Sequence, residues 1–149
     1  MAGPFHLRPY RDSDAEAAIA LWLRTWQQTY PDIDFAARLT WWRARWRDEL
    51  VPGTQIVIAE NAAALAGFVT IDGTGYLDQL VVAPEHWGGG LAAALAAEAK
   101  RLAPSGVRLT VNADNARAIR FYEKAGFRDE GGDVNPISGR AVRHMVWQP

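Results

Sequence analysis

One segment in the middle of the chain, VVAPEHWGGGLAAAL at 81–95, constrains the fold more than any other. It begins as an apolar strand, which Pro84 ends because proline has no N–H to donate to a sheet. Gly88, Gly89 and Gly90 then lead into an alanine- and leucine-rich helix, whose first N–H groups lack intrahelical partners. These donors and the positive end of the helix dipole predict an anion site, with phosphate as the expected anion. A glycine-softened turn that binds nothing is the alternative interpretation.

Length and composition predict one globular domain over residues 1–149. Hydrophobic residues make up 49% of the chain and charged residues 22%, which is typical of a protein with its own core. No apolar run approaches the roughly 18 residues of a membrane span, and the N-terminus has no apolar signal core. We therefore expect a cytoplasmic protein without a membrane partner. The absence of cysteine excludes disulfides, thiolate catalysis and cysteine-based zinc sites, and we expect no metal.

A net charge of −1 gives no overall attraction to nucleic acid. Arginines and tryptophans do alternate in one stretch, at Arg38, Trp41, Trp42, Arg43, Arg45, Trp46 and Arg47. Such a stretch could bind nucleic acid, or it could be an amphipathic helix with its arginines in water. Leu39, Trp42, Trp46 and Leu50 fall at helical spacing, which favours the amphipathic helix. We expect no nucleic-acid partner.

Hydrophobic periodicity predicts the element order β-α-α-β-β-β-α-β-α-β-β. The strands fall at 5–10, 56–60, 65–71, 76–82, 107–111, 127–129 and 141–147, and the second helix at 35–50. Ser13 and Glu16 match a capping box that would start the first helix. Strands two to four predict an antiparallel meander. The whole chain predicts an α/β (α+β) fold with a mixed central sheet and helices on both faces.

Two segments of the chain together resemble the GCN5-related N-acetyltransferases, the GNAT family. VVAPEHWGGGLAAAL resembles the family's acyl-CoA-binding motif, and NADNARAIRFYEKAGF at 112–127 resembles the segment that follows it. The resemblance covers about half of the chain at these motifs, and the element order extends it to the rest. It implies a GNAT-type fold, acetyl-CoA as co-substrate, and transfer of the acetyl group to a primary amine.

The resemblance also implies the cofactor-binding residues. The family motif Q/R-x-x-G-x-G/A falls on Trp87, Gly88, Gly89, Gly90, Leu91 and Ala92, whose backbone amides would bind the diphosphate of coenzyme A. Trp87 replaces the usual glutamine or arginine, and Gly89 takes a place often held by a basic residue, so a side-chain contact to the phosphates is lost. The pantetheine arm would pair with Leu80 and Val82. Asn115 would contact the cofactor or fix the start of its helix.

The chemistry requires a neutral amine, a polarised thioester carbonyl and a proton for the departing thiolate. The backbone N–H of Leu80 or Val81 would polarise the carbonyl, and the resemblance implies that Tyr122 protonates the sulfur. Asp78 is the expected base, directly or through a water, because strand alternation would place it on the sheet face of the residues two and four positions later. Glu60 and Glu85 are weaker alternatives. A solvent-facing Asp78 without a catalytic role stays open.

The acceptor pocket is expected between the first two helices and the sheet. Trp26, Tyr30 and Trp41 would line it, and the loop at 31–34 would supply carboxylates for a cationic amine. The acceptor is a small-molecule or peptide amine, and the sequence leaves both open. It also leaves open a monomer or a homodimer.

The same residues bear on three other functions. A dinucleotide-binding oxidoreductase would need its glycines directly after the first strand of a βαβ unit, whereas here 83–87 intervene and three strands come first. A P-loop is excluded because no Gly-Lys-Ser/Thr follows the glycines. The remaining alternative is a non-catalytic domain that binds acyl-CoA for regulation.

Overall fold

Seven strands form two antiparallel sheets in the computed structural model, which describes residues 5–149. Residues 1–4 of the predicted domain lie outside the described residues. The first sheet has the order β1-β2-β3-β4, with β1 Phe5–Pro9, β2 Thr54–Asn61, β3 Ala64–Asp72 and β4 Leu77–Val82. The second has the order β5-β7-β6, with β5 Val107–Asn112, β6 Arg128–Val134 and β7 Ala141–Trp147.

The two sheets meet at a single point among the described residues. Tyr76 and Arg108 form an isolated parallel bridge, and β4 and β5 diverge beyond it. The predicted mixed sheet is therefore two antiparallel sheets joined by one parallel bridge. The predicted meander is confirmed, since β2 pairs with β3 and β3 with β4, both antiparallel. Because β5 diverges from β4, the edge of β4 that does not pair with β3 is left without a neighbouring strand.

Helices cover both faces of the first sheet, and the predicted α/β class is confirmed. They are α1 Ala15–Thr29, α2 Leu39–Arg45, α3 Val51–Gly53, α4 Leu91–Leu102 and α5 Ala116–Lys124. Within the described residues, none of these helices is long and apolar enough to cross a bilayer.

The segment predicted as one helix at 35–50 has a composite form. A 3₁₀ turn at Ala36–Arg38 precedes α2, a π-helical turn at Trp46–Leu50 follows it, and α3 continues to Gly53. Trp42, Trp46 and Leu50 are buried on one side, so the stretch is an amphipathic helical segment, as its spacing predicted.

The predicted Ser13–Glu16 capping box is wrong. Asp14 makes the capping contact instead, because its carboxylate accepts from the backbone N–H of Arg11 at 2.8 Å and from the guanidinium of Arg8. An arginine on β1 within reach of Asp14 favours this carboxylate over the uncharged Ser13 hydroxyl.

The core consists of two apolar clusters, one on each face of the first sheet. On one face α1 and α2 pack through Trp22, Trp42 and Trp46, with the Trp22 and Trp42 rings stacked at 4.4 Å between centroids. On the other face α4 and α5 pack against β3, β5 and β7, and Leu95 and Met145 are fully buried there. The gap where β4 and β5 diverge runs from one of these faces to the other.

Candidate functional site

The glycine loop that follows β4 keeps an open conformation. A 3₁₀ turn at Pro84–His86 leads into it, and Gly88 and Gly90 have φ angles of +80° and +88°. Only glycine adopts such angles without strain. The loop therefore turns into α4 with its N–H groups directed away from a helical ladder.

Several backbone amides of this loop have no partner. The Trp87 and Gly89 amides donate within the loop, to the carbonyl oxygens of Pro84 and His86, each at 3.2 Å. Among residues 5–149, no acceptor receives the amides of Gly88, Gly90, Leu91 or Ala92. The loop thus presents unpaired donors at the N-terminus of the 12-residue α4, which is the arrangement that binds phosphate.

Trp87 is held against the end of β4. Its indole Nε1–H donates to the carbonyl oxygen of Val82 at 2.8 Å, and the guanidinium of Arg117 lies 4.1 Å from its ring centroid. A pantetheine amide that pairs with Val82, as predicted, would have to share this oxygen with the indole.

A cleft of about 480 Å³ lies where β4 and β5 diverge. It brings together the predicted acid and base, the predicted acceptor aromatics and two predicted cofactor contacts, namely Tyr122, Asp78, Trp26, Tyr30, Trp41, Leu80 and Asn115. Val81, Val82 and the glycine loop at 87–92 do not line it. A separate cavity of about 470 Å³ between β1, β2 and α4 contains none of the predicted site residues.

Tyr122 reaches the cleft from α5. Its ring packs against Phe121 and Phe127, with centroids at 5.1 Å and 5.4 Å, and no residue within 5–149 bonds its hydroxyl. Burial raises the pKa of the Tyr122 phenol, so the hydroxyl stays protonated at neutral pH. The raised pKa of Tyr122 lies further above a thiol's pKa of about 8.5 than that of an ordinary phenol does. Full proton transfer from Tyr122 to a thiolate is therefore less favourable than transfer from an ordinary phenol.

Asp78 does not follow the predicted alternation. The β3–β4 register shifts between Thr70 and Ile71, which leaves Asp78 as the extra residue of a bulge. Leu80 packs with the α4 cluster, whereas the Asp78 carboxylate meets Arg45 of α2, on the opposite face. The predicted shared face is therefore wrong, because the bulge changes the parity of the strand.

Asp78 forms a forked ion pair with Arg45. Arg45 Nη1 donates to Oδ1 at 3.0 Å, Nη2 donates to Oδ2, and Gln79 Nε2 donates to Oδ1 at 2.9 Å. The carboxylate raises the pKa of Arg45, chiefly through this hydrogen bonding. The Asp78 carboxylate is thus largely buried beside the cleft and does not face solvent.

The two weaker candidate bases lie away from the cleft. Glu60 pairs with Arg8, with Oε2 3.1 Å from Nε, and Glu85 pairs with Arg24 at 2.6 Å. The Arg24 guanidinium lowers the pKa of Glu85 to about 2. Neither residue borders the cleft.

The α1 side of the cleft carries a network around Tyr30. The Tyr30 hydroxyl donates to Asp114 Oδ1 at 2.7 Å, and Arg140 binds Asp114 Oδ2 at 2.5 Å while its guanidinium lies 4.6 Å from the Tyr30 ring centroid. Burial, and then the bond to Asp114, raises the pKa of Tyr30. The loop expected to supply carboxylates contributes only Ile33 to the lining.

Sequence reasoning missed a hydrogen-bonded chain across the second sheet. Thr110 Oγ1 lies 3.2 Å from His144 Nδ1, and His144 Nε2 lies 3.1 Å from Asp133 Oδ2. All three residues line the cleft, from β5, β7 and β6. The only signals in the sequence were a threonine and a histidine within predicted strands. Asp133 gave no signal, because the predicted sixth strand, 127–129, stops before it.

Asn115 fixes the start of α5. Its side-chain oxygen accepts from the backbone N–H of Ala118 at 3.2 Å, while the residue also borders the cleft. The structure therefore shows the capping contact that was one of its two predicted roles.

The comparisons with known proteins agree with this geometry. The family model of the acetyltransferase (GNAT) family matches residues 15–127. The chain is 30% identical over 131 residues to the peptidyl-lysine N-acetyltransferase YjaB of Salmonella typhimurium, and the match covers 85% of each protein. YjaB of Escherichia coli is 29% identical over 133 residues, which cover 84% of this chain and 83% of that protein.

Solved structures share the fold. The solution structure of apo YjaB from Escherichia coli has a TM-score of 0.78 at 25% identity, covering 96% of this chain and 97% of that one. The PaiA N-acetyltransferase of Thermoplasma acidophilum, solved with coenzyme A, has a TM-score of 0.77 at 21% identity, covering 97% and 99%. The chain belongs to the GNAT family of acetyltransferases and is an acyltransferase.

Proposed function

We propose that this protein, as a single domain over 1–149, transfers the acetyl group of acetyl-CoA directly to a primary amine. One observation carries the proposal. A single cleft, beside the open edge of β4, is bordered by Tyr122 from α5 and Asp78 from β4. The proton donor and the proton acceptor that the reaction needs thus reach one space from two sides.

The glycine loop supports the choice of cofactor. Coenzyme A is a thiol on a long arm that ends in a diphosphate, and the unpaired amides of Gly88, Gly90, Leu91 and Ala92 suit that diphosphate. With the diphosphate at the start of α4, the arm would run along the free edge of β4 into the cleft. The PaiA acetyltransferase, which has the same fold, was solved with coenzyme A.

The reaction forms one C–N bond and breaks one C–S bond. The amine nitrogen attacks the thioester carbonyl, which the N–H of Leu80 or Val81 polarises, and such an aimed donor contributes about 3–4 kcal/mol. The departing sulfur takes a proton from Tyr122. An alkyl amine with a pKa near 10.4 must first lose its own proton, which costs about 4 kcal/mol at pH 7.4.

Asp78, or a water bound to it, accepts the amine's proton. Because Arg45 and Gln79 already bind both carboxylate oxygens, Asp78 accepts through a remaining lone pair rather than by leaving its partners. Arg45 therefore fixes the direction from which the amine or a water approaches.

The side chain of a peptidyl lysine is the proposed acceptor. The relatives with sequence identity near 30% are named peptidyl-lysine N-acetyltransferases. Large apolar side chains also stand exposed at the cleft of this protein, with Trp41 at 46%, Val134 at 59% and Ile137 at 76% of full exposure. Exposed apolar groups that line one cleft from α2, from β6 and from the loop after it suit a peptide that lies across it.

An acceptor screen tests the proposal. Acetyl-CoA is incubated with a lysine peptide flanked by apolar residues, the same peptide with serine flanks, and free lysine, and thiol release is measured. We expect the fastest release with the apolar peptide, which gains the mass of one acetyl group. Binding of acetyl-CoA with no thiol release on any acceptor would contradict the proposal and favour the regulatory acyl-CoA-binding alternative.

A further inference from the structure

The glycine loop supplies donors but almost no charge. Between 83 and 95 there is no lysine or arginine, and His86 is the only basic side chain. Coenzyme A brings several phosphate charges, and ionic hydrogen bonds to phosphate are roughly twice as strong as neutral ones. A cation from elsewhere in the fold would therefore add considerably to the affinity of this loop.

Arg117 is the cation that the fold brings to the loop. It is the second residue of α5, and its guanidinium lies 4.1 Å from the ring centroid of Trp87, the first residue of the loop. The ring itself is held by the indole bond to Val82. A guanidinium held over an anchored ring keeps its position, and its N–H groups can still donate to a ligand.

Arg117 is also uncommitted. Two arginines that line the cleft, Arg45 and Arg140, are by contrast held in ion pairs with Asp78 and Asp114. Within residues 5–149, Arg117 takes part in no ion pair or side-chain hydrogen bond, and its side chain is exposed. An exposed, unpaired guanidinium held against the first residue of the glycine loop is therefore available to bind a phosphate.

We propose that Arg117, held by Trp87, binds a phosphate of coenzyme A and replaces the basic side chain that the loop lacks. The inference rests on the proposed function, since it assumes that the loop binds coenzyme A. It makes Trp87 a positioning residue, whose ring orients the cation. The two segments 81–95 and 112–127 then act together on one ligand.

Calorimetry with coenzyme A tests the inference on the full chain. We compare the unchanged protein with Arg117→Ala, Arg117→Lys and the matched control Arg120→Ala, another exposed arginine on α5. We expect Arg117→Ala to raise Kd about 10-fold or more and to make Kd less sensitive to salt. Arg117→Lys should keep the salt dependence with a smaller loss, because it retains the charge without the several N–H donors of a guanidinium. Arg120→Ala should bind as the unchanged protein does.

Thermal melting without ligand separates binding from folding. Exposed Arg117→Ala should melt as Arg120→Ala does, so an affinity loss at unchanged Tm supports the inference. Equal Kd values for Arg117→Ala and the unchanged protein would overturn it and leave the proposed function intact. A loss of affinity that accompanies a lowered Tm and is not eased by lysine would also overturn it, as a structural effect. If the unchanged protein itself fails to bind coenzyme A, the proposed function fails instead.

Discussion

The two ends of β4 offer different groups to a ligand, backbone amides at one end and side chains at the other. At its C-terminal end the glycine loop offers the unpaired backbone amides of Gly88, Gly90, Leu91 and Ala92. At its N-terminal end the cleft is lined by side chains from α1, α2, α5, β5, β6 and β7, and several of the polar ones are hydrogen-bonded within the protein. The backbone amides of the glycine loop suit a group that is the same in every reaction, such as the diphosphate. The side chains of the cleft can change to suit another acceptor while the fold stays the same.

This contrast predicts that side-chain changes in the cleft alter turnover, whereas backbone changes in the loop alter cofactor affinity. Replacement of Tyr122 by phenylalanine should give the largest effect, a loss in kcat of about 100-fold or more, because the departing thiolate loses its proton donor. Steady-state kinetics measure kcat, and calorimetry measures the Kd for coenzyme A. An unchanged kcat would remove Tyr122 from the acid role.

Substitution of Asp78 by asparagine should lower kcat/KM by about 10- to 100-fold, since the amide cannot accept the amine's proton. The pH profile of kcat/KM should change with it. Glu85→Gln is the matched control, because that carboxylate is also paired with an arginine but lies outside the cleft. Matching profiles for Asp78→Asn and the control would assign the base to a water or to another residue.

Alanine at Gly90 should raise the Kd for coenzyme A by about 5- to 10-fold and leave kcat at saturating acetyl-CoA nearly unchanged. An L-residue at φ +88° is strained, and relief of that strain turns the amides away from the ligand. Gly139→Ala introduces similar strain at φ +72° in the loop between β6 and β7, with equally open space around it. The contrast between the two ends would be lost if both variants weakened coenzyme A binding equally.

The smallest expected effect is spectroscopic. Because burial raises the pKa of Tyr122, its phenol should remain protonated as pH rises through the usual tyrosine value near 10. Alkaline titration of phenolate absorbance should therefore give the same curve for the unchanged protein and Tyr122→Phe up to about pH 10. If the rise in phenolate absorbance near about pH 10 is smaller in Tyr122→Phe than in the unchanged protein, Tyr122 is solvated and less suited to hold its proton.

The sequence predicted the glycine loop because its chemistry is local. Glycine spacing, a preceding strand and a following helix lie within fifteen residues, and backbone donors need no distant partner. It predicted the α/β class and the meander for the same reason, since both depend on periodicity within each element.

The arrangement of the cleft could not be predicted in this way. The orientation of Asp78 depends on a bulge opposite Thr70 and Ile71, and strand periodicity contains no sign of an extra residue there. The chain of Thr110, His144 and Asp133 depends on β7 lying between β5 and β6, which only the sheet order decides. Arg117 was overlooked because its partner Trp87 lies on another segment, thirty residues earlier.

The most direct test of the account follows individual backbone amides during a titration with coenzyme A. Nuclear magnetic resonance of the ¹⁵N-labelled 16.5 kDa protein resolves such signals at its size. We predict that the amide protons of Gly88, Gly90, Leu91 and Ala92 move downfield more than any others, because each gains a hydrogen bond to a phosphate oxygen. Saturation with coenzyme A that leaves these signals in place would contradict the central claim that the unpaired loop amides bind the diphosphate.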